Sequence, residues 1–166
     1  MCLNENKACG NIERPVQHDI LVGLNYDLNP RKDQSGQIHF QQINSTSANF
    51  NLAKTSVNLL KLELAPTNVF MITYNEVTAS NLSSTSRVSF QILLIADKVA
   101  KKYFVTYKYK SCPTDLTFKA SSGLNYKNYD GSLVEIIIGE GEQCTESNVG
   151  QTGVWATEVT NLISGN

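Results

Sequence analysis

The chain has 166 residues, 41% hydrophobic, 8% aromatic and 17% charged, a length that suits one domain with a single sizeable core and excludes a multidomain machine. Fourteen Lys and Arg against fifteen Asp and Glu leave a formal net charge of -1, so no global field draws in nucleic acid or an anionic membrane surface. Polarity comes instead from Asn, Ser and Thr, whose side chains are neutral at any pH, a balance familiar from extracellular chains.

Met1 to Gln17 are polar and aperiodic and read as an N-terminal arm, held down only where a disulfide ties it. Met1 to Gly10 lacks the basic and apolar regions of a signal peptide, which leaves either an intracellular protein or a piece of a secreted one. Residues 18–166 read as one β-rich domain. Ile20 to Leu24 is the first predicted strand, with breakers at Asn29-Pro30 and Ser35-Gly36. Gln37 to Gln41 follows, alternating Ile38 and Phe40. A loop of Asn, Ser and Thr runs to Ser56. Val57 to Leu64 fits neither period cleanly and is read as a strand ended by Ala65-Pro66.

The centre is more decided. Val69 to Val77 alternates, Val88 to Ile95 is an apolar run interrupted by Gln91, and Tyr103 to Tyr109 sets Tyr103, Val105, Tyr107 and Tyr109 on one face. These make three adjacent strands, with a hairpin turn over Asp97 to Lys101. The pair Asp130-Gly131 suits a type I′ turn between Tyr126 to Tyr129 and Leu133 to Ile138. The last strand is Gly153 to Val159, carrying the single Trp155. No segment holds a long 3.6-residue apolar stripe. The predicted fold class is therefore all-β or nearly so, a β-sandwich of eight or so short, mostly antiparallel strands.

Four cysteines stand at Cys2, Cys9, Cys112 and Cys144, without the close pairs of a zinc ribbon or a thioredoxin-like site. Cys112 and Cys144 each sit beside turn-forming residues, where a disulfide would staple two strand ends. Cys2 and Cys9 are left to pair with each other or with cysteines beyond this segment. Two N-glycosylation triplets occur in polar stretches, Asn44-Ser45-Thr46 and Asn81-Leu82-Ser83.

From about Leu64 to Asn161 a series of motifs in order resembles the nidogen-like domain, the extracellular module of nidogen, alpha-tectorin and certain membrane mucins. Val69 to Val77 is similar to that family's V-x-W-x-N-V strand. Phe90-Gln91 through Asp97 is similar to its N-T-F-Q-x-x-L-x-x-D signature, and Tyr103 to Tyr109, with Tyr107, to its F-x-I-F-x-Y strand. Ser147-Asn148-Val149-Gly150 with Gly153 and Trp155 resembles its closing S-N-V-G-x-x-G-x-W segment. Upstream, Ser35 to Phe40 resembles the N-G-x-I-x-F strand that precedes the module. The resemblance implies a secreted protein or ectodomain and a role in cell-matrix adhesion or matrix organisation without chemistry or cofactor. Its partners would be matrix or cell-surface proteins, or glycans.

Sites of chemistry are sparse. His18 and His39 have no motif partner for a metal or a nucleophile. Gly139-Glu140-Gly141-Glu142 with Glu146 reads as a solvated acidic loop, since no calcium-loop spacing accompanies it. Lys98, Lys101 and Lys102 read as solubilising charges at a sheet edge. Gln91 should hydrogen-bond a neighbouring backbone, and Trp155 should plug one end of the sandwich. The resulting expectation is a non-enzymatic adhesion module with no metal. The alternative is a carbohydrate-binding β-sandwich with Trp155 or a tyrosine exposed in a shallow groove.

Overall fold

The computed structural model describes residues 20–22, 28–29, 36–58, 64–79, 87–112, 121–127, 133–140 and 142–159. Among them the elements run, in order, β1 (Ile20–Val22), β2 (Leu28–Asn29), β3 (Gln37–Asn44), α1 (Phe50–Asn58), β4 (Asn68–Ala79), β5 (Arg87–Asp97), β6 (Lys102–Ser111), β7 (Ser121–Lys127), β8 (Leu133–Glu140) and β9 (Val154–Glu158). Every strand pairing is antiparallel. Among the described residues the fold is all-β apart from one short helix.

Strands β1, β7 and β8 make a three-stranded sheet in the order β1-β7-β8, with Lys127 opposite Leu133 at the hairpin that flanks Asp130-Gly131. The turn residues themselves lie outside the described residues. The larger sheet runs β2-β4-β5-β6-β9, and β3 also pairs with β4.

The three central strands are adjacent, as their patterns require. Ile72 stands opposite Ile92, which stands opposite Tyr107, and Tyr74, Phe90 and Tyr109 line up in the next row. β5 is buried along both faces because Val88 to Ile95 offers apolar side chains at odd and even positions alike. On one face Phe90, Ile92, Val105, Tyr107 and Tyr109 form a core with Val77, Val88 and Val159. On the other, Leu93 and Ile95 pack with Ile43, Val57, Val69 and Val154.

One bulge keeps the first of these cores intact. Between the pairs Tyr74–Phe90 and Val77–Val88, β4 advances three residues while β5 advances two, which returns Val77 to the face of Tyr74. Glu76 adopts φ 51°, its N–H donates to Ser89 Oγ at 2.9 Å and its carboxylate accepts from Arg87 at 3.0 Å.

The stretch between β3 and β4 departs from the expected polar loop and following strand. Residues 50–58 are helical, so the strand expected from Val57 does not begin there, and residues 59–63 lie outside the described residues. Phe50 and Val57 are seven residues apart and share one side of a helix, which packs them on the second core with Val57 fully buried. Between them Leu52 falls off that seven-residue spacing among polar and small residues, which hides the period from a short-window reading.

Candidate binding face

The carboxyl-terminal quarter builds a tight loop against β6 and β9. The Cys112–Cys144 disulfide, with Cα atoms 6.0 Å apart, ties the end of β6 to the loop before β9, and both cysteines pack on the first core. Closing a loop of this length contributes about 3–4 kcal/mol in the chain-entropy model. Ser147 Oγ donates to the Val154 carbonyl at 2.7 Å and accepts from the N–H groups of Val149 and Gln151. Asn148 clamps Ala156 from both sides, accepting its N–H at 2.9 Å and donating to its carbonyl at 2.7 Å.

Gly150 and Gly153 take φ of +76° and +75°, the left-handed region that a side chain resists. Trp155 lies opposite Tyr107 on the core face, half-buried, with its indole N–H donated to the Gln143 carbonyl at 3.1 Å. It packs against the first core from β9, which runs alongside β6.

The other motif residues are also held within the protein. Phe90 is buried and stacks on Tyr74 with ring centroids 4.3 Å apart, then on Tyr109 at 5.5 Å. Gln91 donates to Thr73 Oγ1 at 2.9 Å and approaches Met71 Sδ at 3.5 Å. Its amide thus bonds cross-strand side chains of β4 and not the backbone, since Thr73 stands directly opposite it.

Asp97 is buried and accepts from the N–H groups of Ala100 and Val99 in the hairpin turn and of Ala65 across the sheet. Those donors, Ala100 and Ala65 foremost, hold its carboxyl below the usual carboxylate range despite burial. Tyr107 is fully buried, and burial followed by the neighbouring Tyr109 pushes its phenol far up. Burial likewise lowers Lys108 and raises Tyr74.

These residues organise the fold, and the exposed apolar surface lies elsewhere. β3 and the adjoining part of β4 expose Ile38 at 36%, Phe40 at 75% and Phe70 at 36%. All three stand on the face of Tyr74 and Phe90 but beyond its covered centre. Next to them a groove of about 380 Å³ is lined by Gln42, Phe70, Leu94, Tyr103, Val105 and Val159 among others.

Among the described residues no charged side chain lines the groove. His39 lies on the opposite face of β3, exposed, with Nε2 2.9 Å from Gln37 Oε1. Among the described residues no three His, Cys, Asp or Glu side chains converge as a metal would need, and no helix is long and apolar enough to cross a membrane.

Of the sequence-predicted sites, Asn44 ends β3 with its Oδ1 accepting from the N–H and hydroxyl of Thr46 and from Ser47 Oγ. Cys2, Cys9, His18 and Asn81 lie outside the described residues. The groove and the exposed Ile38, Phe40 and Phe70 were not singled out from sequence. Apolar alternation signals a strand face without saying whether anything covers it.

An antiparallel sheet with this disulfide, the paired Ser147-Asn148 loop and the Phe90-Gln91 strand defines a structural module built to hold its surface still. The family model of the nidogen-like domain matches residues 8–161, and the chain belongs to that family, whose members are non-catalytic extracellular modules of larger proteins. No curated protein and no solved structure matches the chain.

Proposed function

We propose that this chain is a non-enzymatic module that binds matrix or cell-surface proteins as part of a larger secreted or membrane-anchored protein, and so contributes to adhesion or matrix organisation. Membership of the nidogen-like family over residues 8–161 carries this reading. The Cys112–Cys144 disulfide supports an oxidising, extracellular setting.

The uncharged groove beside Phe70 and Tyr103 supplies a mechanism: an apolar anchor from the partner enters it while Gln42 and Asn68 offer rim hydrogen bonds. Asn44 carries an N-glycan in this reading. It lies at a strand end before a turn, and its Oδ1 accepts the Thr46 hydroxyl at 2.7 Å. Residues 18–166 form the folded unit, with 1–17 as an arm.

The test is secretion of the chain from animal cells behind an added signal peptide, followed by binding to decellularised matrix and to intact cells. Specific binding that falls when Phe70→Ser and Tyr103→Ser are introduced supports the reading. A folded, secreted chain that binds neither surface refutes it. Intact mass before and after glycosidase, with Asn44→Gln as the comparison, tests the glycan.

A further inference from the structure

Strand β3 is an edge of unusual character. Among the described residues it has β4 on one side and no strand on the other. Its eight residues, Gln37-Ile38-His39-Phe40-Gln41-Gln42-Ile43-Asn44, include no proline and no Lys, Arg, Asp or Glu. The register with β4 runs unbroken from Gln37–Asn75 to Asn44–Asn68, so no bulge twists the edge away. Residues 37–42 are all exposed. Natural edges are ordinarily blunted by charge, proline, bulges or shortness, and this one has none of these devices.

We propose that β3 pairs antiparallel with β3 of a second copy of this chain, about a two-fold axis through Phe40. The absence of charge favours a copy over a charged peptide: self-pairing brings no like charges together, and nothing on the strand selects an acidic or basic partner. Symmetry then fixes the register. A two-fold axis perpendicular to the sheet keeps each side chain on its own face, so only positions of equal parity stand opposite one another.

The two permitted registers nearest to full overlap centre on Phe40 or on Gln41. Centring on Phe40 sets Phe40 against its mate, Ile38 against Gln42, His39 against Gln41 and Gln37 against Ile43. It covers the most exposed large apolar side chain of the strand. Centring on Gln41 sets Phe40 against Gln42 and leaves that aromatic pair unmade. The favoured register also places Asn44 opposite Gly36 of the second copy, which has no side chain to obstruct a glycan there.

One strand pair with its flanking side chains buries less than the roughly 800 Å² per partner of a standard interface. The association is therefore weak in isolation, with a dissociation constant on the order of 0.1–1 mM, and gains strength where several copies are held close together.

Sedimentation velocity of the full chain from about 10 µM to about 1 mM measures it. Wild type should pass from monomer to dimer, with amides of residues 37–43 gaining exchange protection as concentration rises. Phe40→Lys and Phe40→Glu each place like charges across the axis and should weaken the dimer about tenfold. An equimolar mixture of the two should restore it, because residue 40 faces residue 40. Circular dichroism confirms folding of both variants.

Wild type that stays monomeric throughout overturns the pairing, including the case where it captures an added uncharged extended peptide, which would make the edge a site for foreign strands. Variants that associate as well as wild type, or a mixture that fails to restore the dimer, overturn it too. Phe70→Ser, which alters the groove and lies off β3, should lower matrix binding and leave the dimer in place, so failure of the pairing and failure of the groove are read separately.

Discussion

The loop before β9 depends on one glycine for its approach to β6, and Gly153→Ala measures how much. A Cβ on residue 153 would sit 2.7 Å from the Tyr109 carbonyl oxygen, a backbone atom that cannot swing aside. The same residue accepts the Tyr109 N–H at 2.8 Å and donates to the Glu146 carbonyl at 2.9 Å, so relief of the clash loosens a bond on one flank or the other. Gly150 is the internal control: its φ of +76° matches that of Gly153, and nothing lies within 4 Å of its added Cβ.

Both substitutions incur the left-handed penalty of about 1–2 kcal/mol, partly offset by the smaller unfolded-state entropy of alanine. Only Gly153→Ala adds overpacking of about 1–3 kcal/mol and a weakened hydrogen bond of about 1 kcal/mol. The expected difference between the two variants is about 2–4 kcal/mol, or roughly 4–16 °C in melting temperature for a chain of this size. Urea unfolding of the oxidised protein, followed through the fluorescence of Trp155, reads it. Equal destabilisation by both variants within about 0.5 kcal/mol would show that the close approach to Tyr109 carries no energy.

Three further outcomes follow from the same geometry. Replacing Cys112 and Cys144 together by Ala should cost about 3–4 kcal/mol, seen as a urea midpoint below that of the oxidised wild type. Asp97 is held below its ordinary value of 3.8 by the N–H groups of Ala100 and Ala65. Its contribution to stability is therefore present above that value and lost as pH falls through the lower folded value. Unfolding free energy should decline on acidification in wild type and decline less in Asp97→Asn, and parallel profiles would contradict the assignment. The hydroxyl of Thr106 is fully buried with no hydrogen-bond partner, so the near-isosteric Thr106→Val should raise stability by about 1 kcal/mol in the same urea assay.

Much of the sheet was legible in the sequence because a strand buried on both faces announces itself locally. Val88 to Ile95 has apolar side chains at odd and even positions, and Tyr103 to Tyr109 sets Tyr103, Val105, Tyr107 and Tyr109 on one face. Their pairing across a short turn needed only the spacing from Asp97 to Lys101. The helix at Phe50–Asn58 was hidden because its anchors Phe50 and Val57 on the second core stand seven residues apart, too sparse a pattern to set a period.

The family motifs likewise named the right positions and could not give their roles. Phe90 and Tyr107 are core, while Asn148 and Gly153 shape a loop whose partners, Ala156 and Tyr109, are distant in sequence or fixed only on folding.

The candidate binding face shows most plainly where local information stops. Ile38-x-Phe40 and Phe90-x-Ile92 share an apolar alternation, and the sequence by itself determined that both are strands. Only the tertiary structure decided that Phe90 is sealed between Tyr74 and Tyr109 while Phe40 stands 75% exposed. The physical reason is position within the sheet. Side-chain periodicity depends on the backbone of one strand, but burial depends on how many neighbours flank that strand and what lies above them, which is set by contacts between segments far apart in the chain.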